Sequence, residues 1–267
     1  MKVNLIVADP AWSFDDGLEM SDVKRGAKAQ YDVLDISAIK ALNVSDVAAD
    51  DAVLALWVPS SLLQEGLDTM KAWGFRQTQT HIWVKIKTNP LRDLSDSICK
   101  IIKIKDVNKS SVLAVIGNII ETTDLNDMLA FGMGRLFRQT HEICLVGVRG
   151  KVYGNLANKS QRSVHFDTNK KHSAKPEIIQ NRLELMFPSF NKLELFARRQ
   201  RNGWACLGNE APMSIGEDIR ESIRKLINIS NEKMADINNI ISCYDEGKSK
   251  DLFEMWKNVE SQSTTLG

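Results

Sequence analysis

Asp9-Pro10-Ala11-Trp12, directly after the apolar run Val3-Asn4-Leu5-Ile6-Val7-Ala8, is the stretch of this chain best suited to chemistry. An acid and a rigid backbone carried on the carboxyl end of a buried strand are what an open α/β sheet presents to a crevice. These residue types suit an aromatic amine such as the exocyclic amino group of adenine. That nitrogen is a weak nucleophile because its lone pair is delocalised into the ring, so a catalyst must draw it out of the plane. The Asp9 carboxylate and the Pro10 carbonyl can each accept one amino hydrogen, and the Pro10 ring holds φ at about −65°, which keeps the carbonyl aimed. Trp12 offers a flat face for stacking a base, worth roughly 1–3 kcal/mol. The same residues also fit a plain strand end at a proline turn with Trp12 packed in the core. Taken alone, they leave both readings open.

The elements needed to hold such a turn can be traced along the chain. Ser13 to Gln30 is polar and without periodicity, and a long loop leaving the Asp9 strand is expected to be a lid; Tyr31 after it could close on a substrate base or simply pack before the next helix. Asp35 is placed to cap a short helix over 36–42. Ala52 to Val58 reads as a second buried strand ended by Pro59. Ser61 with Gln64 predicts a capping box for a helix that stops near Gly74, and Thr80 to Lys85 a third strand. This strand-helix-strand rhythm predicts a doubly wound sheet with parallel neighbours joined by crossovers.

Residues from Thr88 to Phe131 break the rhythm and read as a helical insert, serving either as an extra layer or in substrate recognition. Gly132-Met133-Gly134-Arg135 contains a G-x-G, which alone carries little weight. His141 to Val148 is a further strand, and Arg149 to Lys171 a long basic connection that could track a nucleic-acid backbone. A helix follows Pro176 and runs to about Phe187, then strands over 192–199 and 202–207. From Pro212 the composition turns helical, and Ile223, Ile227, Ser230, Met234, Ile237, Ile241 and Tyr244 alternate steps of four and three, a seam that could dimerise, take a partner helix or fold back.

The 267 residues suffice for a sizeable core, and a net charge of +1 rules little out. Charge is uneven, however: between Gly134 and Lys175 bases greatly outnumber acids, forming a basic stripe. The four cysteines form no C-x-x-C and are expected to be reduced and buried, and the four histidines lack ligand spacing, so no metal site is expected. No signal sequence opens the chain and no apolar run approaches the roughly 18 residues needed to span a membrane, which predicts a cytoplasmic protein.

Taken in order, several stretches resemble the messenger-RNA adenosine methyltransferase family in its bacterial and phage form. They are Ala8 to Trp12, Leu56-Trp57-Val58, Trp73-Gly74-Phe75, Trp83-Val84-Lys85, Gly134-Arg135 with Arg138, and His141-Glu142 to Gly147. Later pieces are His172-Ser173-x-Lys175-Pro176-Glu177, Glu194 to Arg198, Gly203-Trp204 and Gly208-Asn209-Glu210. The resemblance implies an α/β, Rossmann-like class I methyltransferase sheet in permuted (beta-class) order, with a helical insert and a helical C-terminal extension. Together with the patterning along the chain it gives a catalytic half (1–87), a helical insert that could serve target recognition or be an extra layer (88–131), a cofactor-binding half (132–211) and the helical extension (212–267).

It also implies S-adenosylmethionine as cofactor and methyl transfer to the N(6) amino group of adenine. Asp9 would touch both amine and cofactor, with Pro10 and Trp12 holding the base and Lys175 facing the methionine portion. Phe196, Arg198, Asn209 and Glu210 would line the adenosine portion, and Tyr31, Arg135 and Arg138 would lie on the substrate side. Double-stranded DNA is the expected acceptor, by analogy with restriction-modification and phage enzymes. RNA methylation and an inactive nucleic-acid-binding subunit of a heteromeric complex are the alternatives. Two departures stand out: Ala11 replaces the second proline of the usual Asp-Pro-Pro-Trp, and Ala197 stands where the family often has glycine, which puts a close backbone approach there in question.

Overall fold

The computed structural model describes residues 2–13, 34–103, 108–130, 132, 134, 136–169, 174–212, 214 and 216–231. In chain order its strands are β1 (Val3–Ala8), β2 (Ala48–Val58), β3 (Arg76–Ile86), β4 (His141–Arg149), β5 (Val164–Thr168), β6 (Lys192–Leu195) and β7 (Trp204–Leu207). The helices are α1 (Ile36–Lys40), α2 (Val44–Val47), α3 (Leu63–Ala72), α4 (Arg92–Ile102), α5 (Lys109–Thr122), α6 (Ile178–Met186) and α7 (Ile219–Asn231). The strands form a seven-stranded sheet in the order β5-β3-β4-β2-β1-β6-β7.

Pairing is mixed. β1 runs parallel to β2 and β6, β6 to β7, and β3 to β5. β4 is antiparallel to β2, from Ala52 opposite Arg149 to Val58 opposite Ile143, where the rhythm of the sequence predicts parallel neighbours. An apolar run has no direction, so burial alone does not say which way a strand enters the sheet. The chain forms two compact units, one comprising Met1–His81, Ile143–Ser163 and Glu177–Gly267, the other Ile82–Glu142 and Val164–Pro176.

In the first unit, β1 and the second half of β2 are buried on both faces, which is why their sequences read as continuous apolar runs rather than alternating ones. The Trp73 indole, fully buried, donates to the Ile39 carbonyl at 3.1 Å and ties the end of α3 to α1. Ile219, Ile223 and Leu226 of α7 join the same apolar cluster as Ile6, Leu54 and Leu195, with Ile227 partly buried against it. The described part of the C-terminal seam therefore folds back on its own unit. Burying each of these side chains contributes roughly 1.5–3 kcal/mol. The seam from Met234 onward lies outside the described residues.

In the second unit, β5 pairs with the end of β3 from Ile82 opposite Val164 to Ile86 opposite Thr168. The Trp83 indole donates to the Asp167 carbonyl at 3.1 Å and its ring stacks on His165. The chain leaves β3 at Lys87 and returns beside it, with the Lys87 amide on the Met128 carbonyl at 3.0 Å and the Ala130 amide on the Lys85 carbonyl at 2.9 Å. Between these points lie α4 and α5, the latter capped by Asn108, whose side chain accepts from the Ser110 amide. No residue of α5 is buried.

Four local expectations need correction. Ser61 and Gln64 form no capping box: Pro59 starts a tight 3-10 turn, α3 begins only at Leu63, and the Gln64 amide donates to Asp68 instead. Asp35 precedes α1, but its carboxylate accepts from the Ser37 hydroxyl rather than capping a backbone amide. The basic connection after Arg149 contains β5, a strand too short to stand out among flanking polar residues. Cys144 and Cys206 are buried thiols as expected, but Cys99 is exposed on α4.

Candidate active site

The site is built at one edge of the sheet by strand register. Ala8 of β1 stands opposite Leu56 of β2 and Leu195 of β6, and Leu195 opposite Leu207 of β7. These four strands run in the same direction, so Asp9, Phe196 and Gly208 leave β1, β6 and β7 together at their carboxyl ends, level with Trp57 near the end of β2. β1 has β2 on one side and β6 on the other, which makes the gap between β1 and β6 the point where strand order reverses. Open α/β sheets bind ligands outside the carboxyl ends at such a point. Asp9 sits on it, its amide 3.5 Å from the Leu195 carbonyl.

After Asp9 the chain closes a three-residue turn, with the Trp12 amide donating to the Pro10 carbonyl at 2.9 Å. A carbonyl oxygen has two lone pairs, so Pro10 keeps one acceptor position while its direction is held by the turn. Trp12 is only 4% exposed, and its indole donates to the Trp57 carbonyl at 2.8 Å. Its placement is that of an anchor, fastening the turn to the end of β2.

On the other side of the gap, Phe196 is the one non-glycine residue with a left-handed backbone among the described residues, at φ 62°. Holding such a conformation costs about 1–3 kcal/mol. It turns the chain sharply off β6, after which the Ala197 amide returns to the Leu207 carbonyl at 2.9 Å. The close approach that Ala197 put in question is provided by Gly208. A Cβ there would lie 2.3 Å from the Ala197 carbonyl oxygen and 2.6 Å from its nitrogen. The Ser214 hydroxyl fixes Gly208 from behind, accepting from its amide and donating to its carbonyl. Asn209 and Glu210 follow, exposed, with Arg198 facing Glu210 at 3.9 Å.

Glu194, one residue before the end of β6, was not singled out by sequence as a site residue. Burial raises the pKa of its carboxyl, the nearby Asp9 adds to the rise, and a hydrogen bond from Gln180 with the charges of Arg199 and Arg201 opposes it. The Gln180 side-chain oxygen is buried without a hydrogen-bond partner. The Asp9 and Glu194 carboxylates beside the switch point are acceptors of the kind suited to sugar hydroxyls and to a cationic ligand.

The second unit holds a separate charged cluster. Glu142 lies 2.8 Å from the Lys85 ammonium and 3.2 Å from that of Lys175. Burial would raise the Glu142 pKa, but Lys175 and Lys85 outweigh it and hold the carboxyl below its ordinary value. Lys85 also lies over the Trp83 ring, 5.2 Å from its centre. Lys175 is thus located in an ion-paired group of three, of which sequence reasoning had picked out only Lys175 for a role. Arg138 is exposed in this unit, while Tyr31 and Arg135 lie outside the described residues. Within the basic stretch, the Arg149 guanidinium donates to the Ser45 carbonyl at 2.9 Å in the first unit. Among the described residues no cluster of histidine, cysteine and acidic side chains could hold a metal ion, and no helix is long and apolar enough to cross a membrane.

A mixed seven-stranded α/β sheet with an acid-proline turn at its switch point defines a Rossmann-like methyltransferase fold. The MT-A70 family model matches residues 3–101 and 109–210, and the chain belongs to that family of adenine N6-methyltransferases, which are generally S-adenosylmethionine-dependent and act on nucleic acid. The chain is 23% identical over 226 residues to the Type II methyltransferase M.MunI of a Mycoplasma species, covering 79% of this chain and 78% of that protein. It is 27% identical over 211 residues to the human N(6)-adenosine-methyltransferase catalytic subunit METTL3, and 26% identical over 208 residues to an Arabidopsis thaliana MT-A70-like N(6)-adenosine-methyltransferase. These matches cover 78% and 77% of this chain but only 28% and 23% of the respective eukaryotic proteins.

Proposed function

We propose that this protein transfers a methyl group from S-adenosylmethionine to the N(6) amino group of adenine in double-stranded DNA. The observation that carries the reading is the place of Asp9: a carboxylate at the switch point, followed by a carbonyl held in direction by proline and by the Trp12 amide. Asp9 and Pro10 accept the two amino hydrogens and draw the nitrogen lone pair out of conjugation. S-adenosylmethionine, when bound, supplies a methyl group on a sulfonium centre. Glu194, Phe196, Arg198, Asn209 and Glu210 hold its adenosine portion. Catalysis comes mainly from positioning, since the methylated ammonium sheds its proton readily to Asp9 or to water.

A duplex acceptor requires the adenine to be extruded, at a cost of a few kcal/mol. Basic residues of the 134–175 stretch offset part of this through the phosphates. Residues 88–131 would contribute to reading the target sequence. The likeness to a Type II methyltransferase, over 79% of this chain and 78% of that protein, favours DNA and a role in bacterial or phage DNA modification within the cytoplasm. The likeness to N(6)-adenosine-methyltransferases supports RNA as the second reading.

The test is incubation with labelled S-adenosylmethionine and a panel of duplex DNA, single-stranded DNA and RNA, followed by nucleoside analysis. N(6)-methyladenine should form fastest in duplex DNA; equal or faster turnover of single-stranded RNA would overturn the choice of acceptor. Asp9→Ala should abolish methylation while leaving thermal unfolding cooperative, and retained activity in that variant would refute the assignment of the site.

A further inference from the structure

We propose that the Leu136-Phe137 tip of the second unit is a wedge that enters the base stack of duplex DNA, with Arg138 set against the phosphates. This rests on the reading of the protein as a DNA methyltransferase and adds the element that opens the duplex. Leu136 is 93% exposed and Phe137 86%, the most exposed large apolar side chains among the described residues. They stand side by side, so the pair is not the scattered single apolar residue that surfaces commonly carry.

The tip is built to hold them outward. Its foot is closed by the Gly132 amide on the Gln139 carbonyl at 2.8 Å and by an isolated antiparallel bridge between the same residues. Within it the backbone is drawn so tight that a Cβ on Gly134 would lie 2.0 Å from the Phe137 carbonyl oxygen, a contact with backbone that only glycine permits. Below the foot, the Lys85 amide donates to the Thr140 carbonyl at 2.8 Å and the Gln139 side chain to the His141 carbonyl at 2.8 Å. The next residue is Glu142, which holds Lys85 and Lys175. Phe137 is five residues from Glu142 and so lies within about 18 Å of it along the chain.

A flat ring and a branched aliphatic side chain, presented on a braced turn and followed by an exposed arginine, have the chemistry of the apolar wedges that part base steps. An extruded adenine leaves a gap in the stack, and a side chain that fills it favours the open state. The neighbouring cation favours a polyanionic partner over an apolar protein surface.

Two full-length variants test the proposal, and both positions are exposed enough that the fold should stand, which thermal unfolding verifies. Phe137→Trp places a fluorophore at the tip. Titration with a short mixed-sequence DNA duplex should quench its emission well beyond the wild-type change, and added salt should reverse the effect. The double variant Leu136→Ala/Phe137→Ala should lose about tenfold or more in methylation of adenine-unmethylated duplex genomic DNA, yet stay within about threefold of wild type on the same DNA heat-denatured. Quenching no greater than wild type, quenching by single-stranded RNA alone, or equal losses on both forms of DNA would each overturn the wedge. A Phe137→Trp protein that quenches on duplex as expected, with a wild type that methylates no DNA, would sink the enzymatic reading while leaving the wedge standing.

Discussion

Replacing Gly208 by alanine would put a methyl group 2.3 Å from the Ala197 carbonyl oxygen, 2.6 Å from the Ala197 nitrogen and 2.8 Å from the Phe196 carbonyl carbon. All three neighbours are backbone atoms, so no side chain can swing aside. Relief requires the end of β6 to move away from β7, against the Ala197 amide bond to Leu207 and the double hydrogen bond of Gly208 to Ser214. Overpacking of this kind costs about 1–3 kcal/mol, and the rigid contact points to the upper end. At roughly 2–4 °C per kcal/mol for a domain of this size, the melting temperature should fall by about 6–12 °C. Because Phe196 and Asn209 flank the displaced backbone, S-adenosylmethionine binding measured by calorimetry should weaken as well. Gly117→Ala is the control: nothing lies within 4 Å of its Cβ on α5, and the helix gains up to about 1 kcal/mol from losing a glycine. A Gly208→Ala protein melting within about 2 °C of wild type would refute the close-approach argument.

Three further outcomes follow from the same structure. Glu142, whose folded pKa lies below its ordinary 4.5, adds stability above that value and loses it as pH falls through the folded one. Wild type should therefore lose melting temperature more steeply than Glu142→Gln between about pH 5 and 3, while Glu142→Gln should be the less stable at neutral pH; parallel pH curves would contradict the pairing. Ile223→Ala removes a fully buried anchor of α7 and should cost about 2–5 kcal/mol in denaturant unfolding, and a loss under about 1 kcal/mol would mean that the helix does not pack on this core. Conversely, Asp9→Asn, which keeps the shape and removes the charge, should melt close to wild type and lose most methyl transfer; wild-type turnover would show that the carboxylate is not needed.

No motif assigned Glu194 a role, because its burial beside Gln180 and Asp9 is set by contacts between segments far apart in the chain. The apolar runs at 3–8 and 52–58, the acid-proline step after the first, and the late strands were legible because burial on both faces writes itself into consecutive residues. The ordered motifs, taken together, pointed to the family. The direction of β4, the strand at Val164–Thr168, the failure of the Ser61-Gln64 box and the burial of Trp12 were not legible. Three of these depend on a partner distant in the chain, Arg149 on Ala52, Val164 on Ile82 and the Trp12 indole on the Trp57 carbonyl, while the box fails because a 3-10 turn takes up the residues before α3. The charge state of Glu142 likewise depends on Lys85 and Lys175, which lie 57 and 33 positions away. Hydrophobic pattern and turn chemistry are local and directionless, so the chain alone specified which segments would be buried and where an acid would meet the solvent. Register, strand sense and the pairing of charges arise only when segments far apart in sequence are brought within hydrogen-bonding distance, and that is what the tertiary structure decided.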